Sequence, residues 1–277
     1  MRTAFHRHDQ FLRFRAYVRG LLEPIGRKNV ESIAAAVRDG TGDSGHSQAL
    51  QHFVSQSPWD ARRLLAAVRA HTGHLRRDPD AVWVVHDGAF AKKGRHSVGV
   101  RRQLARSLGR KINCQVGVFL AQIGPRGYYP LAAQLYLPTT WLRECAGEVA
   151  KTVPAGEREP GTKAGLALRI LDEVRSEESP LPLVAEAGYP DVAEFRDGFA
   201  GRGLTAAADD GGAVAETLSR FEWLKGNLGL DHYEGRTWNG WHHHVSLVFA
   251  AYGFLCGEAT ESEHPPFASQ RQSESRR

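Results

Sequence analysis

The chain has 277 residues, of which 42% are hydrophobic and 24% charged, as is usual for a globular protein that buries its own core in one large domain or two modest ones. A formal net charge of +5 permits nucleic-acid binding without requiring it. No apolar stretch is long enough to span a bilayer, and the N-terminus lacks the apolar core of a signal peptide. Three widely spaced cysteines favour free thiols over a disulfide framework. We therefore expect a cytoplasmic protein with no membrane partner.

The first 78 residues show helical periodicity. Phe14, Tyr17 and Leu21 lie on one apolar stripe, and three further stripes follow before residue 70. Apolar side chains at this spacing fall on one side of a helix. The sequence therefore predicts an N-terminal helical region over residues 1–78.

A short apolar run at residues 82–85 marks the change to strand periodicity. It is β-branched and aromatic and stops before Gly88, so it predicts a buried strand with Asp87 at its C-terminal tip. The densest basic stretch of the chain follows, from Lys92 to Lys111. A carboxylate beside many cations suits a metal-holding, phosphate-facing site, but the local pattern alone favours an acid that starts a turn before a solvated basic loop.

The rest of the chain alternates between strand and helix patterns up to residue 256. Apolar runs at 115–123 and 128–137 predict an antiparallel hairpin around a Gly-Pro-Arg-Gly turn. The remaining predicted elements are a helix at Lys163–Arg175, a parallel strand at 181–185, helices at 217–230 and 245–255, and a disordered tail at 257–277.

Several separated segments carry a family resemblance in the same order along the chain. The segment that contains Asp87 reads V-H-D-G-A-F-A-K-K-G-R-H-S-V-G-V. The others include N-C-Q-V-G-V from Asn113, E-A-G-Y from Glu186 and G-L-D-H-Y-E-G-R from Gly229. Together they resemble the bacterial insertion-sequence transposases that have a DDE, ribonuclease H-like catalytic domain. The corresponding family segment reads roughly D-D-T-G-F-P-K-K-G-K-H-S-V-G-V, and Asp87 takes the place of the acid before the threonine.

The resemblance implies an α/β (α+β) fold, with a ribonuclease H-like mixed sheet flanked by helices over residues 79–256. The predicted order of strand, hairpin, helix, strand and helix agrees with that plan. The N-terminal helical region then either contacts DNA or supports the sheet. The implied function is DNA transposition, in which the protein binds double-stranded DNA at the terminal repeats of an element. It cuts and joins strands there through Mg²⁺ or Mn²⁺ held by three carboxylates. A homodimer is compatible with this function.

The resemblance assigns the metal ligands to Asp87 and Glu186 and the catalytic roles to Asp87, Glu186 and Glu222. Glu186 stands where the family has a shorter Asp. In the family, the third acid stands seven residues before the lysine that corresponds to Lys225. In this chain Leu218 occupies that position. Leucine cannot bind a metal, and Glu222, one helical turn later, is the nearest substitute.

The segment between Glu186 and Lys225 is also short, because relatives carry a long insertion there. We therefore predict a shortened transposase with impaired activity. The alternatives are a compact active enzyme that uses Glu222 and a DNA-binding remnant without catalysis. A zinc hydrolase built on the three histidines at 242–244 is disfavoured, because consecutive helical side chains point in different directions.

The cations expected to contact DNA all lie in or near the segments that carry the resemblance. They would neutralise DNA phosphates and contribute little to recognition of the base sequence. They are Lys92, Lys93, Arg95, Arg101, Arg102, Lys225 and Arg236.

Overall fold

The computed structural model describes residues 1–37, 45–210 and 212–261. Five strands form one mixed sheet, and helices cover both of its faces. The strands are β1 (Val82–Ala91), β2 (Arg101–Ala105), β3 (Arg110–Gly124), β4 (Gly127–Tyr136) and β5 (Leu183–Ala185). The α-helices are α1 (His8–Leu22), α2 (Val30–Ala36), α3 (Gly45–Ser55), α4 (Ala61–Thr72), α5 (Thr139–Glu144), α6 (Ala146–Thr152), α7 (Lys163–Arg175), α8 (Ala193–Ala200), α9 (Ala213–Leu228) and α10 (Trp238–Glu261). This architecture confirms the predicted α/β class and is consistent with a ribonuclease H-like fold.

The long strand β3 organises the sheet. It pairs antiparallel with β1, β2 and β4, and β5 adds to the far edge of β1 in parallel orientation. The predicted hairpin of β3 and β4 is confirmed, and so is the predicted parallel strand. Parallel pairing requires a crossover connection, which α7 supplies between β4 and β5.

Successive side chains of β1 point to opposite faces of the sheet. Trp83 and Val85 enter an apolar cluster with α7 and α8. Val84 and Phe90 enter the other cluster, which contains α9, α10 and the N-terminal helices. The parity of a residue in β1 therefore decides which helices its side chain meets.

The N-terminal helices pack on α10, which is longer than the predicted helix at 245–255. One apolar cluster contains side chains of α1, α3, α4 and α10 together with those of the sheet. The boundary predicted after residue 78 stays a prediction. None of the described helices combines the length and apolar character needed to cross a membrane.

Some elements were not predicted from the sequence, namely β2, α5, α6 and α8. The short link after α8 pairs with β5, because the backbone N–H of Leu183 donates to the Thr205 carbonyl at 2.8 Å and that of Ala207 donates to the Leu183 carbonyl at 2.9 Å. At the C-terminus α10 continues to Glu261, and the rest of the predicted disordered tail, 262–277, lies outside the described residues.

Candidate active site

Asp87 lies in the middle of β1 and not at its tip. The strand continues to Ala91, opposite Cys114, because β1 pairs with β3 along its whole length. The prediction of a strand that stops before Gly88 is therefore wrong. Gly88 is accommodated inside the strand, where a Cβ atom would overlap the Phe221 ring. Side-chain direction, and not a strand end, determines what the Asp87 carboxylate contacts.

Both oxygens of the buried Asp87 carboxylate accept hydrogen bonds from protein side chains. Oδ1 accepts from the Tyr189 hydroxyl at 2.6 Å. Oδ2 pairs with Lys163 Nζ and, at 3.3 Å, with Arg106 Nε. The two cations are mostly buried and the carboxylate almost completely so. The negative charge of Asp87 is therefore neutralised by the protein's own side chains.

Glu186 directly follows β5 and lies beside Asp87. Its backbone N–H donates to the Val85 carbonyl at 2.8 Å, which continues the pairing of β5 with β1. Its Oε2 accepts from the backbone N–H of Asp87, also at 2.8 Å. Burial raises the pKa of the Glu186 carboxyl, an effect that this hydrogen bond opposes and the Asp87 charge reinforces. The two acids expected from β1 and β5 are thus adjacent.

Three partners of Asp87 were not expected from the sequence. Tyr189 follows Glu186 by three residues, and burial together with the Asp87 charge raises its pKa. Arg106 lies in the single turn between β2 and β3. Lys163 is the first residue of α7. A lysine at a helix N-terminus is disfavoured by the helix dipole, and this position of Lys163 is a signal in the sequence that an acid lies nearby.

His86 carries the side chain that points to the opposite face, towards α9. Its ring stacks on Phe119 and meets Phe221 edge-on. Burial lowers the pKa of His86 to about 4, so the ring is neutral near neutral pH. Its Nε2 atom is buried and has no hydrogen-bond partner among the described residues. In the corresponding family segment, D-D-T-G-F, an acid also stands at this position.

The third expected acid, Glu222, lies on α9 and pairs with Lys225 at 2.7 Å. The Lys225 ammonium group is also 4.9 Å from the centre of the Phe221 ring. Leu218 stands one turn earlier on the same helix. Because α9 covers the His86 face, Glu222 does not join the contacts that surround Asp87.

The divalent metal site implied by the resemblance does not fit these side chains. In the described parts of the chain, no three His, Cys, Asp or Glu residues are placed to hold a metal ion. Asp87 and Glu186 form a pair, but both Asp87 oxygens already accept from protein donors. Mg²⁺ requires near-octahedral oxygen ligands, and the Lys163 ammonium group contacts one of the oxygens that it would need.

The cations expected to contact DNA fall into two groups. Three of them already have partners within the protein. Lys92 Nζ donates to the Tyr233 carbonyl at 2.7 Å. Arg101 pairs with Glu144, and Lys225 pairs with Glu222, each at 2.7 Å. The other group is exposed and forms no ion pair within the described ranges. Its members are Lys93, Arg95, Arg102 and Arg236.

The three histidines of α10 contact three different parts of the protein. His242 Nε2 accepts from the backbone of Leu135, and His243 lies between two backbone carbonyls, each at 2.8 Å. His244 contacts the Tyr17 hydroxyl and the Gly229 carbonyl. These contacts attach α10 to its neighbours. They occupy the ring nitrogens of all three histidines, so none of these rings is free to bind a zinc ion.

Comparison with known proteins identifies the family. A family model described as DDE superfamily endonuclease matches residues 1–209. The chain belongs to this family. The match includes Asp87 and Glu186 and ends before α9, so the helix with Leu218 and Glu222 lies beyond it.

A curated relative agrees with the family. The probable transposase for insertion sequence element IS701 of Microchaete diplosiphon is 26% identical over 135 residues, which cover 49% of this chain and 34% of that protein. The chain therefore matches about a third of the length of this relative. No solved structure matches significantly.

Proposed function

We propose that this DDE-family protein binds double-stranded DNA and that its two-metal strand cleavage is impaired or lost. The observation that carries the proposal is the absence of a carboxylate at two positions where the family resemblance implies an acid, one on β1 and one on α9. His86 occupies the β1 position that points to this helix, and Leu218 occupies the expected acid position on the helix itself. Asp87, the acid that remains on β1, points to the other face and is paired with two cations.

The exposed basic side chains near β2 support DNA binding. The Val98 N–H donates to the Arg236 carbonyl at 3.0 Å, so the loop after β1 adjoins the segment before α10. Lys93, Arg95 and Arg102 belong to that loop and to β2, and Arg236 belongs to the adjoining segment. Cations free of acid partners can neutralise DNA phosphates and release bound counter-ions. They would bind duplexes of many sequences, including the terminal repeats of an element.

A second candidate function is active transposition of an element by a homodimer. It is favoured by the contact between Asp87 and Glu186 and by the curated relative. In this case Asp87 and Glu186 would hold Mg²⁺ or Mn²⁺, with Glu222 as the third acid. The ion pairs of Asp87 with Lys163 and Arg106 would have to open first.

DNA binding is tested by measuring the affinity for a labelled duplex over a range of salt concentrations. Replacing Lys93, Arg95 and Arg102 by alanine should reduce the slope of log affinity against log salt by about 2.7, or about 0.9 for each phosphate that is no longer neutralised. A charge-matched control replaces three other exposed cations, Arg143, Lys151 and Arg196, and should leave the slope unchanged. Equal slopes for both triple variants would refute this binding surface.

Cleavage is tested on the same duplex with Mg²⁺ or Mn²⁺. We expect no nicking by the natural chain and none after Leu218→Glu, because His86 and the paired Asp87 remain. Metal-dependent nicking by the natural chain would support the second candidate function. Nicking by the Leu218→Glu variant but not by the natural chain would show that the other residues of the site can still support cleavage.

A further inference from the structure

Asp87 is surrounded by donors from three separate segments. Lys163 begins α7, Arg106 lies between β2 and β3, and Tyr189 follows β5. These donors engage both carboxylate oxygens from different sides. We propose that Asp87 is a structural acid whose counter-ions are Lys163 and Arg106, so that the protein's own cations replace the divalent ions expected in this family. This proposal stands independently of DNA binding.

The position of Lys163 gives the first support. The Thr162 hydroxyl caps α7 by accepting from the Gly165 N–H at 2.9 Å, so the helix begins at Lys163. A positive charge there is repelled by the positive end of the helix dipole. The ion pair with Asp87 offsets this repulsion. The carboxylate therefore stabilises the start of α7 as well as the lysine itself.

The seat of Arg106 gives the second support. Its guanidinium group packs directly against Gly188, whose φ of 93° lies in the region that favours glycine. A Cβ atom at residue 188 would overlap that group. The turn between Glu186 and Tyr189 is thus shaped to admit an arginine side chain beside Asp87. Such close backbone contact holds the Arg106 charge next to the acid in the folded protein.

The charges of this cluster balance without a metal. Asp87 and Glu186 supply two acids, and Lys163 and Arg106 supply two cations whose charges act on both. In a metal-binding site without its metal, two adjacent carboxylates repel each other. Removing one of these carboxylates then stabilises the folded chain. In a neutralised cluster, removing Asp87 leaves Lys163 and Arg106 with only one acid, Glu186, and destabilises the folded chain.

The sign of the stability change after Asp87→Asn therefore tests the proposal. Asparagine keeps an oxygen for the Tyr189 hydroxyl but removes the charge. We expect the full chain to melt about 5 °C lower, whereas Asp191→Asn, which removes an exposed acid near the same turn, should leave the melting temperature unchanged. A higher melting temperature for Asp87→Asn would overturn the proposal.

Manganese binding gives a second, independent measurement. Adding Mn²⁺ to the natural chain should not change its melting temperature, because Asp87 is already neutralised. The double substitution Lys163→Gln and Arg106→Gln should introduce an upward shift with Mn²⁺ that disappears when Asp87→Asn is added. Stabilisation of the natural chain by Mn²⁺ that is absent in Asp87→Asn would refute the replacement of metal by protein cations. The proposal would also be refuted if the double variant folded and its melting temperature did not change with Mn²⁺.

Discussion

The ion pair between the buried Arg69 and the partly exposed Glu177 predicts an unequal response to losing either partner. Arg69 lies on α4 with its side chain 1% exposed, and Glu177 follows α7 with its side chain 37% exposed. Two hydrogen bonds of 2.8 and 3.0 Å join the guanidinium to the carboxylate, and Nη1 donates to the Leu131 carbonyl on β4 at 2.8 Å. This pair ties α4 to the sheet and to the end of α7.

The magnitudes follow from which charge is left without its partner. Glu177→Ala leaves the Arg69 guanidinium, which water cannot reach, without its main partner. Glu173 compensates only partly, because it lies 3.8 Å away. The loss should be about 3 kcal/mol, at the low end for a broken buried pair because Glu177 is partly exposed. Arg69→Met keeps most of the buried volume and leaves a carboxylate that water can solvate. Its cost should be about 1.5 kcal/mol, chiefly the unpaired Leu131 carbonyl.

Urea unfolding followed by circular dichroism measures both free energies. Glu159→Ala, which removes an exposed acid, serves as the control and should change stability by less than about 0.5 kcal/mol. The expected order of destabilisation is Glu177→Ala, then Arg69→Met, then the control. If Arg69→Met were the more harmful change, or if neither differed from the control, the burial assigned to Arg69 would be wrong.

Two further predictions concern the turn beside Asp87 and the buried histidines. Gly188→Ala should destabilise the chain by about 2 kcal/mol, because it adds strain at positive φ and displaces the Arg106 guanidinium; a melting temperature equal to that of the natural chain would contradict the close contact. His242 and His244, whose ring nitrogens each have partners that suit a neutral ring, have pKa values lowered by burial to about 3 and about 4 from an ordinary 6.5. Their contribution to stability should be complete above about pH 6.5 and fall as the pH drops towards about 4, because the unfolded chain binds protons that the buried rings do not. Urea midpoints that stay constant from about pH 7 to about pH 4.5 would show that these rings are not buried neutral.

The sequence by itself determined the family and most of the sheet. Separated motifs in a fixed order identified the DDE resemblance, and alternating apolar runs predicted the hairpin of β3 and β4. Local patterns also predicted that Leu218 stands in the place of the third acid, because a helix position can be counted from nearby residues. These features depend on neighbours in the chain, and so a single sequence contains them.

The tertiary structure alone decided what Asp87 contacts. Pairing with β3 extended β1 beyond Gly88, which turned a predicted strand tip into a strand interior. The pleat of that strand then directed His86 to α9 and Asp87 to α7. The ion pair with Lys163 spans 76 residues of chain and the hydrogen bond from Tyr189 spans 102. Contacts at such separations arise only when strands and helices pack, and local sequence patterns do not encode them.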